Sequence, residues 1–168
     1  MSVRALVTGA ASGIGRATCL RLARDARTAG AKAQIAAVDL WPSTGGPSPA
    51  RDALVKELGD LGAAALPLHG DMATVDAPAR VVGEAAARFG GLDGIVSNAG
   101  VNRPGPLVSY AVEDWDRMFA VNTRAPMFLM QGVIRHLKER QVPGAIVNIL
   151  SFQAHGASTD LAIYGASK

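Results

Sequence analysis

Residues 8–15 read Thr-Gly-Ala-Ala-Ser-Gly-Ile-Gly and lie between a short apolar run and an amphipathic segment. The apolar run, residues 3–8, predicts a buried strand, and the helical spacing of residues 14–24 predicts a helix. Glycines in such a turn let the backbone approach a pyrophosphate, and the N-terminus of the helix attracts its negative charge. A strand, a glycine-rich turn and a helix in this order indicate dinucleotide binding. The P-loop alternative lacks the Gly-Lys-Ser/Thr that should follow the turn.

Strand and helix patterns then alternate to the end of the sequence. Apolar strands that are each followed by a helix indicate a parallel sheet covered on both faces. With right-handed crossovers, the prediction is an α/β fold with a doubly wound parallel sheet, Rossmann-like, in a single domain covering residues 1–168. Further strands are predicted at 34–39, 64–69, 92–97 and 145–150, and further helices at 51–61, 74–89, 113–140 with a break near Asn122 and Pro126, and 161–168.

The composition narrows the class of protein. The 168 residues suit one compact domain, 49% of them are hydrophobic, and the net charge of +3 comes from dispersed residues. We therefore predict no nucleic-acid binding, no membrane span, no metal site and a cytoplasmic location. The lone Cys19 excludes an internal disulfide and is expected in the core.

Asp39 ends the second predicted strand, close to the distance from the glycine turn at which dinucleotide-binding folds have an acidic residue. A carboxylate there accepts hydrogen bonds from a ribose hydroxyl and repels a 2′-phosphate. The next residues, Leu40 and Trp41, bring no cation. The sequence therefore favours NAD over NADP, the alternative being a solvent-facing acid at a strand end.

Five motifs in order resemble the short-chain dehydrogenase/reductase family. They are the glycine turn at 8–15, Asn98-Ala99-Gly100 after the fourth strand, Asn122, Ser151 after the fifth strand, and Tyr164-Gly165-Ala166-Ser167-Lys168. The resemblance implies an NAD-linked oxidoreductase that interconverts a small secondary alcohol and a ketone. It implies a catalytic set of Asn122, Ser151, Tyr164 and Lys168, in which Asn122 holds a water and Lys168 also contacts the nicotinamide ribose.

The residue types fit that chemistry independently of the family. Tyr164 and Lys168 are four residues apart and so share one face of a helix, where an ammonium stabilises a phenolate. Such a phenol can exchange a proton with a substrate oxygen, to which Ser151 can donate a hydrogen bond. Taken singly, these residues could instead be a surface pair, a capping serine and a helix break.

By resemblance, the loop after the third strand and Asn98 should border the adenine, although Asp71 could simply cap the next helix. His155, Asn102 and Arg103 are weaker candidates for substrate contact, and His69 and His136 are expected to be structural. The full set predicted to bind the cofactor is Thr8, Gly9, Ser12, Gly13, Ile14, Gly15, Asp39, Asp71, Met72, Asn98, Ala99, Gly100, Tyr164 and Lys168.

Two departures from the family pattern are expected. Residues 24–32 should form an enlarged surface loop, and the sequence stops at Lys168, where the family continues with further strands and a substrate loop. The alternative hypothesis is therefore a truncated, inactive module that binds NAD or a partner. The extended epimerase branch fits less well because its glycine spacing differs. The substrate class, a sugar or polyol or a 3-oxoacyl group, stays open, and the full-length protein is expected to pair through residues 127–137 and the helix of Tyr164.

Overall fold

A computed structural model describes residues 2–156 and 158–168. Its centre is a five-stranded parallel sheet with the strand order β3-β2-β1-β4-β5. The order reverses between β1 and β4, which makes the carboxyl ends of these two strands the place where doubly wound folds bind ligands. The strands are β1 Ser2–Thr8, β2 Lys32–Asp39, β3 Ala64–His69, β4 Gly94–Ser97 and β5 Ala145–Asn148.

Helices cover both faces of the sheet, as the predicted fold class requires. The helices are α1 Gly13–Thr28, α2 Pro49–Asp60, α3 Ala77–Phe89, α4 Val112–Phe119, α5 Ala125–Arg140 and α6 Ala162–Ser167. A π-helical turn, Ala120–Arg124, joins α4 to α5, and short 3₁₀ turns lie at Leu107–Ser109 and Phe152–Ala154. Among the described residues no helix has the length and apolarity needed to cross a bilayer.

Two hydrophobic cores result from the alternation of side chains along β1. Leu6 packs with residues of α3 and α5, whereas Ala5 and Val7 pack with residues of α1 and α2. Because successive strand residues point to opposite faces, one apolar strand contributes to both cores. Cys19 is fully buried in the second core, and burial raises its thiol pKa to about 12, so this cysteine is an inert packing residue.

The expected loop at residues 24–32 is wrong. Helix α1 continues to Thr28, whose hydroxyl donates to the Arg24 carbonyl, and β2 already begins at Lys32. Ala26 is buried and extends the packing face, so tertiary contact prolongs the helix beyond its most regular apolar spacing. The connection that remains is a tight turn with Gly30 at a φ of +64°.

The helix predicted from Thr74 begins instead at Ala77, with Asp76 as its N-cap residue. Pro78 lies in the first turn, a position that suits proline because its missing N–H has no helical partner there. Thr74 belongs to a preceding turn, where its hydroxyl and its N–H both donate to the Asp71 carbonyl. This turn places Asp71 beside the carboxyl ends of the strands.

Candidate nucleotide and catalytic site

A cavity of about 500 Å³ lies at the carboxyl ends of the strands, at the reversal between β1 and β4. Most of the residues predicted to bind the cofactor line it, and Arg117, which the sequence interpretation missed, lines it as well. The lining residues are Gly9, Ser12, Gly13, Ile14, Asp39, Leu40, Gly70, Asp71, Met72, Asn98, Ala99, Gly100, Val101, Arg117 and Val121.

The three glycines of the turn have different tasks. A Cβ on Gly15 would collide with the Gly9 carbonyl oxygen, and one on Gly9 would lie 2.6 Å from the Asn98 amide nitrogen. These two glycines let the turn pack against itself and against the segment after β4. Gly13 has a φ of +53°, and no atom lies within 4 Å of the space its Cβ would occupy, so this glycine borders the open cavity at the start of α1.

Thr8 and Asn98 join the glycine turn to the end of β4. The Thr8 hydroxyl, fully buried, accepts hydrogen bonds from the N–H groups of Asn98 and Ala99, both at 3.0 Å. The Asn98 amide donates to the carbonyls of Thr8 at 3.0 Å and Gly9 at 3.3 Å. Thr8 is absent from the cavity lining, so its contribution is to position the turn, and the donors of Asn98 are occupied in the same way.

The Asp39 carboxylate lies at the end of β2 and faces the turn. One of its oxygens accepts from the Ala11 N–H at 2.7 Å and the other from the Leu40 N–H at 2.7 Å. Each oxygen retains a lone pair, and the residue lines the cavity. Asp39 therefore fixes the glycine turn in addition to presenting negative charge to a ligand.

At the β3 side of the cavity Asp71 lines the cavity and stabilises a turn, whereas Asp76 and not Asp71 is the N-cap of α3. Its Oδ1 accepts from the Ala73 N–H at 2.9 Å, which stabilises the turn before α3. Its Oδ2 lies 3.9 Å from Nη1 of Arg117, which comes from α4. Met72 is buried in the core and lines the same end of the cavity. No periodicity or motif pointed to Arg117, because it is distant in sequence from the strand ends.

Tyr164 lies in α6, and Lys168 follows the last residue of this helix as its C-cap. The Lys168 Nζ lies 5.9 Å from the centre of the Tyr164 ring and donates to the Ile149 carbonyl at 3.2 Å. It also lies 3.1 Å from the space that a Cβ on Gly100 would fill, at the edge of the cavity. Partial burial lowers the pKa of the Lys168 ammonium, and a neighbouring anion would stabilise its charged form.

Asn122 is buried in the π-helical turn, a distortion that often marks functional sites. Its Oδ1 accepts from the Val101 N–H, and its Nδ2 donates to the Val101 carbonyl and to the Ser167 hydroxyl, all at 2.9 Å. Ser167 in turn donates to the Tyr164 carbonyl at 2.8 Å. The Asn122 side chain thus connects the segment after β4 to α6.

Ser151 follows β5 and begins the 3₁₀ turn Phe152–Ala154. Its hydroxyl oxygen accepts from the Gln153 N–H at 3.2 Å. This contact orients the side chain and leaves the hydroxyl proton for another acceptor. Ser151 therefore has a donor available on the segment that leads from β5 towards α6.

The segments expected to contact substrate are tied together by Tyr110. Its hydroxyl lies 2.9 Å from the Arg103 carbonyl and 3.1 Å from the Asp160 carbonyl, and the Gly105 N–H donates to the latter at 2.9 Å. The Arg103 guanidinium packs over the Tyr110 ring and pairs with Asp114 at 3.2 Å. Arg103 is therefore engaged within the protein.

His136 and His69 have contacts within the protein, whereas Asn102 and His155 are exposed. His136 accepts from the Leu92 N–H at 3.0 Å and His69 contacts the Trp41 carbonyl, which agrees with structural roles. Asn102 and His155 are exposed on the two segments joined by Tyr110. No cluster of His, Cys, Asp and Glu suited to a metal ion occurs in the described ranges 2–156 and 158–168.

Comparison with known proteins decides the family. Residues 3–168 match the family model for short chain dehydrogenases. The chain belongs to the short-chain dehydrogenase family. A short chain dehydrogenase/reductase of Aspergillus aculeatus is 36% identical over 165 residues, which cover 98% of this chain and 57% of the relative. Across two other curated relatives the coverage of the relative is 46% and 50%, so the chain spans about half the length of these proteins.

Solved structures of the family superpose over nearly the whole chain. A short chain dehydrogenase from Burkholderia cenocepacia, in complex with NADP, is 34% identical with a TM-score of 0.82 over 99% of this chain and 62% of its own. The NADH-dependent reductase A1-R′, complexed with NAD, is 25% identical with a TM-score of 0.84 over 99% of this chain and 67% of its own. The family thus includes members with either nicotinamide cofactor.

Proposed function

We propose that this chain forms the cofactor-binding and proton-transfer part of an NAD-dependent oxidoreductase that interconverts a secondary alcohol and a ketone. The observation that carries the proposal is the placement of the Lys168 ammonium. It lies 5.9 Å from the centre of the Tyr164 ring and next to Gly100 at the edge of the strand-end cavity. A proton-exchanging phenol, a stabilising cation and a nucleotide cavity are thereby adjacent.

The cavity suits a dinucleotide in its shape and its hydrogen-bonding groups. Gly13 leaves space beside the N-terminus of α1, and the first turn of this helix carries no acidic residue to repel a pyrophosphate. The side chains of Ser12 and Ile14 line the same entrance. A nicotinamide cofactor bound there supplies or accepts the hydride.

Proton transfer is assigned to Tyr164. In ketone reduction its hydroxyl donates a proton to the carbonyl oxygen, and in alcohol oxidation the phenolate removes the hydroxyl proton. Ser151 donates a hydrogen bond to the same oxygen as negative charge develops on it. The Lys168 ammonium stabilises the phenolate, and the phenolate in turn favours the charged lysine against the effect of its burial.

Asn122 is proposed to act by positioning. Both N–H groups of its amide are occupied by Val101 and Ser167, so the side chain has no donor for the water that the family resemblance implied. Only the second lone pair of Oδ1 remains for such a water. That lone pair can accept from a water, and the other contacts hold α6, and with it Tyr164 and Lys168, against the strand-end segments.

NAD is proposed as the cofactor in preference to NADP. Asp39 brings negative charge to the end of β2, where a 2′-phosphate would lie. The substrate is proposed as a small molecule bound next to the Tyr164 hydroxyl and Ser151. A cytoplasmic location and a homo-oligomer for the full-length protein stay predictions from the sequence.

The test measures turnover and binding in the same protein. The full gene product that contains this chain should consume NADH in the presence of a panel of aliphatic, sugar and 3-oxoacyl ketones. A Tyr164→Phe variant should lose turnover by a factor of roughly 100 or more and keep its affinity for NADH, since only the ionisable oxygen is removed. Retention of most of the wild-type kcat would exclude Tyr164 as the proton donor. Binding of NADH without turnover of any ketone would favour the alternative of an inactive nucleotide-binding module.

A further inference from the structure

The adenine end of the cavity contains a cation with no assigned task. Arg117 projects from α4, lines the cavity together with Val121 one turn later, and is about half exposed, with 52% of its side chain accessible. Its ion pair with Asp71 is long, at 3.9 Å. A pair of this length and exposure contributes little to stability, so the arginine remains available for a ligand.

The position of Arg117 relative to the strands identifies the part of the ligand it would meet. In doubly wound folds the acid at the end of the second strand binds the adenosine ribose, and the family resemblance implies that the adenine lies beside the loop after β3. Asp71 lies two residues after the end of β3 and pairs with Arg117 at 3.9 Å. Tyr164 and Lys168 lie at the opposite side, next to Gly100 and β5.

Apolar side chains also line the cavity beside Asp39, Asp71 and Arg117. Leu40 is 58% exposed and Met72 and Val121 are buried, and all three line the cavity with Arg117. A flat heteroaromatic ring fits such a lining through its faces. A guanidinium is also flat, is weakly hydrated and stacks on aromatic rings, which an ammonium does less well.

We infer that Arg117 packs its guanidinium plane against the adenine of the bound cofactor. The inference rests on the proposed function, since it requires a dinucleotide in this cavity. Arg117 would then raise affinity for the adenosine half of the cofactor and leave the nicotinamide half unaffected. It would act on NAD and NADP alike, because it addresses the ring rather than the 2′ position.

The test separates the two halves of the ligand. The dissociation constants of ADP-ribose, nicotinamide mononucleotide and 2′,5′-ADP are measured by calorimetry for the wild type and for Arg117→Ala. Loss of the stacking cation should weaken ADP-ribose roughly fivefold and 2′,5′-ADP by the same factor, and should leave nicotinamide mononucleotide unchanged. Arg117→Lys keeps the charge without the plane and should recover less than half of the loss on a logarithmic scale.

Arg88→Ala is the matched control, because Arg88 is an exposed arginine in the last turn of α3 and its removal changes the net charge equally. ADP-ribose affinity should stay within twofold of the wild type in this variant. A selective loss of 2′,5′-ADP binding in Arg117→Ala would overturn the inference in favour of a phosphate contact. Full recovery of ADP-ribose affinity in Arg117→Lys would overturn it as well, because charge alone would then suffice. Unchanged ADP-ribose affinity in Arg117→Ala would overturn the inference alone, whereas a wild type that binds neither NAD nor ADP-ribose would overturn the proposed function with it.

Discussion

Asp39 has two roles that a substitution by alanine cannot separate. Its carboxylate carries the charge proposed to discriminate against NADP, and it also accepts from the Ala11 N–H at 2.7 Å within the glycine turn. Asp39→Ala would remove both, so affinity for NAD itself should fall. Asp39→Asn removes the charge and retains an acceptor oxygen for the Ala11 N–H, although its NH2 group cannot accept from the Leu40 N–H.

We therefore expect Asp39→Asn to reduce the ratio of NADP to NAD dissociation constants by about tenfold, equivalent to about 1.4 kcal/mol. Fluorescence titration of the wild type and the variant with NADH and NADPH provides the measurement. A wild type that binds NADPH as tightly as NADH would contradict the prediction at the outset. If the ratio of dissociation constants is unchanged in Asp39→Asn, a residue other than Asp39 discriminates between NAD and NADP.

Gly100 lies close to the Lys168 ammonium, and a substitution there tests how closely the position of that ammonium is fixed. A methyl group on residue 100 would lie 3.1 Å from the Lys168 Nζ and 3.4 Å from the Asn122 Oδ1, closer than comfortable contact. The neighbours must give way slightly, and a shift of the Lys168 ammonium away from its position would lower the rate. Gly100→Ala should lower kcat by roughly 10- to 100-fold with little change in thermal stability.

Gly83→Ala serves as its control, because Gly83 is exposed in α3 with no atom within 4 Å of its added Cβ. This substitution should leave kcat unchanged and increase stability slightly, as alanine favours a helix over glycine. Steady-state kinetics and thermal melts of both variants give the comparison. Equal kcat values for the two variants would remove Gly100 from the set of residues that fix Lys168.

At the scale of elements, the break between α4 and α5 illustrates how far the sequence predicts the site. The sequence predicts a break in a long helical pattern near Asn122 and Pro126, and the structure has one there. Pro126 does not cause the break, because it lies in the first turn of α5, where proline is tolerated. The interruption is the π turn at Ala120–Arg124. Its contacts with Val101 and Ser167 depend on packing between distant segments, so no local periodicity could have predicted them.

The same limit applies to Arg103 and Tyr110. Arg103 was a reasonable candidate for substrate contact because it follows the Asn-Ala-Gly motif, yet its guanidinium pairs with Asp114 and covers the Tyr110 ring. Tyr110 carried no motif signal. The phenol instead holds the segment after β4 to the segment before α6, which only the folded chain brings together.

Tyr110→Phe removes this link without altering the ring that packs under Arg103. One hydroxyl proton serves the two carbonyls of Arg103 and Asp160, so its loss should loosen both segments, and amide exchange in residues 101–106 and 158–161 should accelerate by roughly tenfold. The Michaelis constant for the ketone should rise, while affinity for NADH should not change. Hydrogen–deuterium exchange and kinetics measure the two effects. Unaltered exchange in both segments would show that the Gly105–Asp160 hydrogen bond suffices.

At the end of the sheet opposite the cavity, Arg4 and Asp93 join β1 to the start of β4. The Arg4 side chain donates to Asp93 at 2.6 and 3.1 Å, the Arg4 N–H donates to the same carboxylate at 2.9 Å, and the Asp93 N–H donates to the Arg4 carbonyl at 2.8 Å. Partial burial opposes ionisation of Asp93, but these bonds outweigh it and lower its pKa. The pair therefore connects β1 with the start of β4 across the reversal of strand order.

Because the folded pKa of Asp93 lies below the unfolded value of about 3.9, its contribution to stability is present above that pH and is lost as the pH falls through the folded pKa. Asp93→Asn should lower the free energy of unfolding at pH 7 by about 1 kcal/mol, since the pair is partly exposed, and the melting temperature by roughly 2–4 °C. The gap between wild type and variant should close progressively below pH ~4. Asp25→Asn, which breaks the exposed pair with Arg21, should change the melting temperature much less at any pH. NADH affinity should be the same in all three proteins because Asp93 lies at the end of the strands far from the cavity. A difference in melting temperature between wild type and Asp93→Asn that persists unchanged into acid would refute the role of the Asp93 charge.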